Sequence, residues 1–160
     1  MMIPCQRHLF DIPDDIAYFN CAYMSPLMKK VVAEGHKSVA LKGQPWQISP
    51  PDFFSTPERA RALFAQLINA QADDIAIIPS CSYGTATAAN NLPINKGQEI
   101  LVLQDQFPSH VYPWRELAAD KDAEIITIPR GGNDGWTPRI LAAITANTAI
   151  VALPHCHWTD

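Results

Sequence analysis

Glu99-Ile100-Leu101-Val102-Leu103 is a short aliphatic run that is apolar at consecutive positions and is followed at once by polar residues. An unbroken apolar run of this length is typical of a strand that is buried on both faces of a parallel sheet. Three other runs have the same character, and each ends at a proline: 75–78, 124–128 and 148–153. We therefore expect four strands of a mostly parallel sheet.

Stretches with helical character lie between these runs, at about 83–92, 111–120 and 138–145. Thr137-Pro138 is a typical helix start, because proline is favoured at the first helical position. Strands that alternate with helices imply right-handed βαβ units. The pattern predicts a three-layer α/β fold with a mostly parallel sheet.

The amino-terminal part has a different sequence pattern, which predicts helices and an irregular connection. Ser25-Pro26 predicts the start of a helix over about 26–42, and Gly43 predicts its end. The stretch 44–56 is rich in proline and aromatic residues and reads as an irregular connection.

A second helix is predicted to start near Pro57, because Ser55 and Glu58 have the spacing of a capping box. We divide the chain into an amino-terminal helical segment with its connection, residues 1–56, and an α/β domain, residues 57–160.

Composition excludes several classes of function. The formal net charge of −4, with Lys and Arg scattered, gives no electrostatic basis for binding nucleic acid. No apolar run approaches the ~18 residues of a membrane span, and the amino-terminal stretch lacks the order of a secretory signal. The four cysteines have no CxxC spacing, which favours reduced thiols in a cytoplasmic protein over a disulfide or metal framework.

A parallel sheet binds ligands beyond the carboxyl ends of its strands. Three segments are expected at that edge: 79–84, 105–113 and 154–160. The glycine-rich loop 130–135 follows the third predicted strand and reads as a flexible turn, with an anion cradle as the alternative.

Ser80-Cys81-Ser82-Tyr83-Gly84-Thr85 follows a predicted strand and opens a predicted helix. Free backbone N–H groups at a helix start favour an anion, the hydroxyl groups offer further hydrogen bonds, and Gly84 allows close approach of a ligand. The alternative is that these serines only cap the helix. The segment has neither the ATP-binding nor the dinucleotide-binding glycine pattern.

Gln106 to Trp114 combines aromatic residues with His110. Aromatic side chains at the carboxyl end of a strand are suited to stacking on a planar ligand, and His110 is suited to hydrogen bonding or proton transfer. The alternative is that Phe107, Tyr112 and Trp114 serve core or interface packing.

His155-Cys156-His157 suggests metal ligands. In a strand, however, the two histidines would share one face and Cys156 would lie on the other. No further ligand is placed by the sequence, so we expect no metal site and favour a polar segment that lines a ligand.

Four stretches together resemble the class V aminotransferase group of fold-type I pyridoxal phosphate (PLP) enzymes, which includes cysteine desulfurases and kynureninases. They lie in the family's order over nearly the whole chain: Tyr18 to Leu27, Pro79 to Gly84, Asp105 to Trp114, and His155 to Asp160. Phe107-Pro108-Ser109 looks like the cofactor-stacking segment of kynureninases, and Pro113-Trp114 looks like the desulfurase version. The resemblance implies an incomplete major domain of a PLP-dependent transferase.

The resemblance also implies roles for single residues. Cys81 and Ser82 match the pair that holds the cofactor phosphate. Phe107 matches the residue that stacks on the pyridine ring, where desulfurases use a histidine. His110 falls where kynureninases have an acidic residue and desulfurases an asparagine.

At the end of the chain, Trp158 falls where desulfurases carry an asparagine near the cofactor's phenolic oxygen. His155 or His157 is the expected replacement for that contact.

In the family an aspartate holds the pyridine nitrogen and a lysine forms the Schiff base with the cofactor. Both are expected after the position where this sequence ends, and no lysine here has the family's context: Lys29, Lys30, Lys37, Lys42, Lys96 and Lys121. The resemblance thus implies the front part of a homodimeric enzyme that acts on an amino acid or related amine. The complete enzyme is expected to bind PLP, whereas the fragment alone is expected to bind it weakly or not at all and to be inactive.

Two alternatives belong to other classes. One is a non-catalytic, truncated paralogue that serves as a binding or dimerisation module, to which the aromatic-rich stretch 44–54 points. The other is an unrelated phosphate-binding α/β protein, which would bind a nucleotide tightly and not PLP.

Overall fold

The structure is a computed structural model that describes residues 3–21, 23–132 and 135–159. The chain divides into two compact units, Met1–Ile77 and Ile78–Asp160. The division after residue 56 that the sequence suggests stays a prediction.

In the first unit, helix α1 spans Lys29–Lys42 and ends at Gly43, as predicted. The predicted start at Ser25-Pro26 is wrong, because Met28 forms an isolated antiparallel bridge with Phe10. Met28 is therefore extended, with φ −64° and ψ 145°, and the helix can begin only after it.

Helix α2 spans Asp52–Ile68 and includes Pro57. The predicted capping box at Ser55 is wrong, because Ser55 already lies inside the helix, which follows Pro51. The backbone N–H and the hydroxyl of Ser49 donate to Asp52 Oδ2 over 2.8 and 2.6 Å. This contact joins the first residue of the helix to the segment before it.

The predicted strand at 75–78 is absent from the described residues, although its first residue, Ile75, is extended with φ −108° and ψ 120°. It follows a 3-10 helix, Ala72–Asp74, and the carbonyl oxygen of Ile75 accepts from Arg61 Nε over 2.8 Å. An extended run becomes a strand only when a neighbouring strand pairs with it, and here a side chain takes up the first carbonyl group.

The other three predicted strands form the sheet of the second unit: β1 (Glu99–Leu103), β2 (Glu124–Ile128) and β3 (Thr148–Ala152). The order is β2-β1-β3, and both pairings are parallel. The predicted α/β fold with a parallel sheet is confirmed.

Both faces of β1 are buried, because its side chains alternate between two apolar clusters. Ile100 and Val102 pack with Trp114 and Ala118 of α4 (Tyr112–Lys121) and with Ala89 of α3 (Cys81–Asn91). Leu101 and Leu103 pack on the opposite face with Ile128, Trp136 and Ile140, the last of which belongs to α5 (Thr137–Ala143). Fully burying an aliphatic side chain contributes about 1.5–3 kcal/mol, so β1 is the centre of a three-layer unit.

The start of α5 refines a prediction. Pro138 lies in the first turn, as expected, but the residue that precedes the helix is Trp136, and Thr137 is already helical. In the described part of the chain β3 lies at an edge of the sheet, next to β1, and its Val151 is 42% exposed.

Candidate functional site

The carboxyl ends of the three parallel strands lie at one edge of the sheet. The segments that follow β1 and β3 meet there: the indole Nε1 of Trp158 donates to the carbonyl oxygen of Asp105 over 2.8 Å. The amino-terminal end of α3 reaches the same loop, because Ser82 shares a pocket with Pro108 and Ser109. The sequence's expectation that these segments assemble at one edge therefore agrees with the geometry.

At the start of α3, Ser80 is the capping residue, and its hydroxyl accepts from the N–H of Tyr83 over 3.2 Å. The hydroxyl of Thr85 donates to the carbonyl oxygen of Cys81 over 3.0 Å. Of the three hydroxyl groups that the sequence offers to an anion, only that of Ser82 has no assigned partner among the described residues. The N–H groups of Cys81 and Ser82, at the first two helical positions, have no acceptor within the helix.

The pocket in front of Ser82 has a volume of about 280 Å³. Its lining is Ser82, Pro108, Ser109, Tyr112 and Pro113. The guanidinium of Arg115 lies 5.8 Å from the centre of the Tyr112 ring. The pocket thus combines two hydroxyl groups and an aromatic edge at the positive end of a helix dipole, which suits an anion.

Gly84 lies against Ile78 in the structure. A Cβ at this position would lie 2.4 Å from Ile78 Cδ1. The glycine therefore leaves room for Ile78 against α3, and the close approach of a ligand stays a prediction.

Phe107 precedes a 3-10 helix, Pro108–His110, in the loop after β1. Its ring is half-buried and meets the edge of Trp158, with 5.6 Å between centroids and an interplanar angle of 83°. Its N–H donates to Oε1 of Gln106 over 2.8 Å. The other two aromatic residues have different environments. Trp114 is buried in the core with 4% exposure, whereas Tyr112 lines the pocket.

Two buried nitrogen atoms in this loop lack a hydrogen-bond partner in the described part of the chain: Nε2 of Gln106 and Nε2 of His110. Burial lowers the pKa of His110, and hydrogen bonding to the backbone of Ala152 and Leu153 opposes the shift. A buried polar atom without a partner is costly. The loop therefore fits a polar ligand that would supply the missing partners.

The two histidines after β3 are in opposite environments. Their segment is not a strand, so the expectation of a shared face does not apply. His155 is exposed, whereas His157 is 4% exposed and stacks on Trp136 with 5.3 Å between centroids and an angle of 25°.

Both ring nitrogens of His157 have protein partners. Nε2 lies 3.0 Å from the carbonyl oxygen of Gln104, and Nδ1 lies 2.9 Å from the hydroxyl of Thr159. His157 is thus a buried link between two segments, and His155 is the histidine that faces solvent.

No group of three or more His, Cys, Asp or Glu side chains suited to a metal is present among residues 3–21, 23–132 and 135–159. The four cysteines are exposed free thiols. No helix in the described part of the chain is long and apolar enough to cross a membrane.

The loop 130–135 is described only in part, since residues 133 and 134 lie outside the described ranges. The N–H of Arg130 donates to Oε1 of Gln104 over 3.0 Å, and Arg130 Nη2 donates to Thr159. At its start, this segment is tied to the loops after β1 and β3.

Sequence reasoning missed Gln104 and Trp136 as residues of this edge, and it placed Arg130 only in a loop. Gln104 follows β1 directly and Arg130 follows β2 after Pro129, but nothing in their residue types indicates mutual contact. Only Asp105 carried a signal, because aspartate tolerates the left-handed conformation that it adopts here at φ 54°.

Two similar proteins align with most of this chain, but the alignment takes in only a small share of their own length. An uncharacterised aminotransferase, YcbU of Bacillus subtilis, is 27% identical over 135 residues, which are 83% of this chain and 34% of that protein. A probable cysteine desulfurase of Mycoplasma genitalium is 28% identical over 98 residues, which are 60% of this chain and 24% of that protein. The chain thus spans about a third or less of the length of these relatives.

Two similar solved structures are C-DES, a cystine C-S lyase, and a cysteine desulfurase. A C-DES variant with glycine covalently linked to the PLP cofactor is similar with a TM-score of 0.73 and 17% identity, over 92% of this chain and 40% of that one. The apo cysteine desulfurase of Thermococcus onnurineus gives 0.66 and 21%, over 94% of this chain and 40% of that one. At these identities the likeness establishes the fold.

The family model for aminotransferase class V matches residues 50–157. This range includes the whole sheet, the start of α3 and the loop that carries Phe107. A match over more than half of the chain, together with the shared fold, establishes the relationship. The chain therefore belongs to the class V aminotransferase family.

Proposed function

We propose that this chain is the amino-terminal part of a PLP-dependent enzyme that acts on an amino acid or a related amine. The observation that carries the proposal is the pocket of about 280 Å³ in front of Ser82, between the start of α3 and the loop after β1. The names of similar proteins support the substrate class, since one solved structure holds glycine linked to PLP and another holds cysteine persulfide as its product.

The phosphate group would bind at the start of α3. The N–H groups of Cys81 and Ser82 and the Ser82 hydroxyl would donate to phosphate oxygens. The helix dipole adds about 0.3–1 kcal/mol for an anion at an exposed helix start. Ser80 keeps the capping bond with Tyr83, so the two free N–H groups stay available to the ligand.

The ring of the cofactor would stack on Phe107. Trp158 contacts the ring of Phe107 edge-on, which restricts its orientation. His110 and His155 are proposed to serve polar groups at the edge of the ring, His110 through its unpaired Nε2. PLP, when bound, supplies an electron sink for bonds at the carbon that bears the substrate's amino group.

The lysine that carries the cofactor is proposed to lie outside these 160 residues. All six lysines are exposed: Lys29, Lys30, Lys37, Lys42, Lys96 and Lys121. Lys96 and Lys121 precede β1 and β2, at the edge of the sheet opposite to the pocket, and they pair with Asp122 and Asp120. The 160-residue chain alone is therefore expected to be inactive, and the complete enzyme is expected to be a cytoplasmic homodimer.

The first experiment measures non-covalent binding of pyridoxamine 5′-phosphate, which has an amine instead of an aldehyde and cannot modify surface lysines. Calorimetry should detect binding that weakens in Ser82→Ala and in Phe107→Ala. Ser38→Ala and Phe54→Ala, on exposed faces of α1 and α2, are the matched controls. Equal affinity for pyridoxamine without phosphate would contradict the proposed phosphate seat.

The second experiment tests the lysines. The chain is incubated with PLP, reduced with borohydride and analysed by peptide mass spectrometry. We expect low labelling spread over the exposed lysines. A stoichiometric adduct at a single lysine would show that the chain carries its own attachment site.

A second candidate function is a non-catalytic module that dimerises with a full-length relative. Large apolar side chains of the first unit favour it, since Trp46, Phe53 and Phe54 are 79%, 65% and 69% exposed. Co-expression with a tagged full-length class V relative tests it: a heterodimer that Phe53→Ser and Phe54→Ser abolish would support the module. Binding of pyridoxamine phosphate without any heterodimer would favour the enzyme fragment.

A further inference from the structure

Two successive side chains after β3 hold two successive carbonyl groups after β1. His157 Nε2 contacts the carbonyl oxygen of Gln104 over 3.0 Å, and Trp158 Nε1 contacts that of Asp105 over 2.8 Å. We name this four-residue arrangement the clamp. It joins the segments that follow the carboxyl ends of two neighbouring strands.

The hydrogen bonds of His157 fix its tautomer. A carbonyl oxygen only accepts, so Nε2 carries the proton and donates to Gln104. Nδ1 then accepts from the hydroxyl of Thr159, 2.9 Å away, and Arg130 Nη2 donates to that same hydroxyl oxygen. The hydrogen bonds thus run from Arg130 through Thr159 and His157 to Gln104. The imidazole also stacks on Trp136, which restricts its orientation.

The turn that the clamp holds is strained. Asp105 has φ 54°, a conformation that costs a residue with a side chain free energy unless its surroundings impose it. Gln104 is held on its other side, because its N–H donates to Ile128 and its Oε1 accepts from Arg130. Residues at or just after the carboxyl ends of β2 and β3 therefore both contact the turn at Gln104 and Asp105, which follows β1.

This strained turn sets the direction in which the chain leaves β1, and Phe107 follows it after Gln106. Trp158 contacts Phe107 edge-on with the same indole that holds Asp105. We infer that His157 is a positioning residue: through the clamp it fixes the turn at Gln104–Asp105 and so aims the ring of Phe107. The consequence for a bound cofactor rests on the proposed function, whereas the consequence for the loop itself does not.

The test separates the donor of His157 from its ring. His157→Phe keeps the stacking surface for Trp136 and removes the hydrogen bonds, while His157→Gln keeps an N–H donor for Gln104. Trp158→Phe removes the bond to Asp105 and keeps an aromatic edge for Phe107. His36→Phe, at an exposed position of α1, is the control.

The first readout is amide hydrogen exchange in the ligand-free chain, followed at Phe107, His110 and Val111. Exchange there should rise about fivefold in His157→Phe, as expected for the loss of one net hydrogen bond, and should return toward wild type in His157→Gln. Exchange in β1 and β2 should stay unchanged. Unchanged exchange at all three amides would overturn the clamp, and a uniform rise across the sheet would show a general structural role instead.

The second readout compares pyridoxamine 5′-phosphate with inorganic phosphate. Loss of ring orientation should weaken the first about threefold to tenfold, the size of an aromatic stacking contact, and leave the second unchanged. An equal loss for both ligands would overturn the positioning role. Faster exchange at Phe107 in a chain that binds neither ligand would uphold the clamp and refute the proposed function.

Discussion

The indole nitrogen of Trp158 lies 2.8 Å from the carbonyl oxygen of Asp105, whose backbone is in the left-handed conformation with φ 54°. The bond crosses from the segment after β3 to the segment after β1. A backbone conformation that is unfavourable by itself is thus held by a residue that lies far away in the sequence.

Replacing Asp105 by valine should destabilise the chain by about 1–2 kcal/mol, because a β-branched side chain is poorly accommodated at positive φ. Asp105→Gly should change the free energy of unfolding far less, since glycine adopts this conformation without strain. Urea denaturation measures both variants. Asp15→Val, at an exposed position whose φ is not positive, is the control, and an equal loss there would refute the strain argument.

Replacing Ser82 by aspartate should separate the stability of α3 from anion binding. A carboxylate in the first turn stabilises a helix by about 0.3–1 kcal/mol, so the melting temperature should not fall. The same charge should repel phosphate and abolish binding of pyridoxamine 5′-phosphate. Thr87→Asp, on the exposed middle of α3, should leave binding intact; retained binding in Ser82→Asp would exclude the start of α3 as the phosphate seat.

The pH dependence of stability should contain a contribution from His110. Burial lowers its pKa in the folded chain, so the unfolded chain binds more protons below the ordinary histidine value of about 6.5. Stability from this group is therefore fully present above that pH and is lost as the pH falls from there toward the lowered pKa.

Melting temperatures between pH 5 and 8 test this expectation. His110→Asn keeps a short donor and removes the titration, so its stability should vary less with pH than that of the wild type over this window. His36→Asn, at an exposed histidine, should follow the wild type. Identical slopes for the wild type and His110→Asn would contradict the expectation.

Arg61, in the middle of α2, should anchor the segment after that helix in the first unit. Its Nε donates to the carbonyl oxygen of Ile75 over 2.8 Å, and its other nitrogens pair with Glu58 and Asp73. Arg61→Met should lower the denaturation midpoint and expose the segment 75–77 to proteolysis, because a backbone acceptor loses its partner. Arg59→Met, on the exposed face of the same helix, should do neither; matching effects would refute the anchor.

The sequence predicted the centre of the fold correctly because the signals there are local. Ile100 and Leu101 face opposite clusters because successive side chains alternate between the two faces of a strand. Gly43 and Pro138 mark helix ends through their own backbone preferences. Ser82 and Phe107 were marked as site residues by resemblance, and their proposed contacts with a cofactor stay predictions.

Predictions failed where a distant residue decides the local conformation. The run at 75–78 has the composition of a strand, but it lacks a partner strand in the described residues. Ser25-Pro26 is a sound helix start that the bridge between Phe10 and Met28 overrides. The capping box predicted at Ser55 does not form, because α2 already begins at Asp52, whose side chain accepts from Ser49.

The sequence by itself determined the class of fold, the three paired strands and the position of the helix start after Ser80, because periodicity, caps and prolines act within a few residues. Only the tertiary structure decided that His157 is buried between Trp136 and Gln104 while His155 faces solvent. The two histidines are chemically identical and two residues apart, so no local signal separates them. Their difference arises because the segment after β3 packs against the segment after β1 and against Trp136, and these contacts exist only in the folded chain.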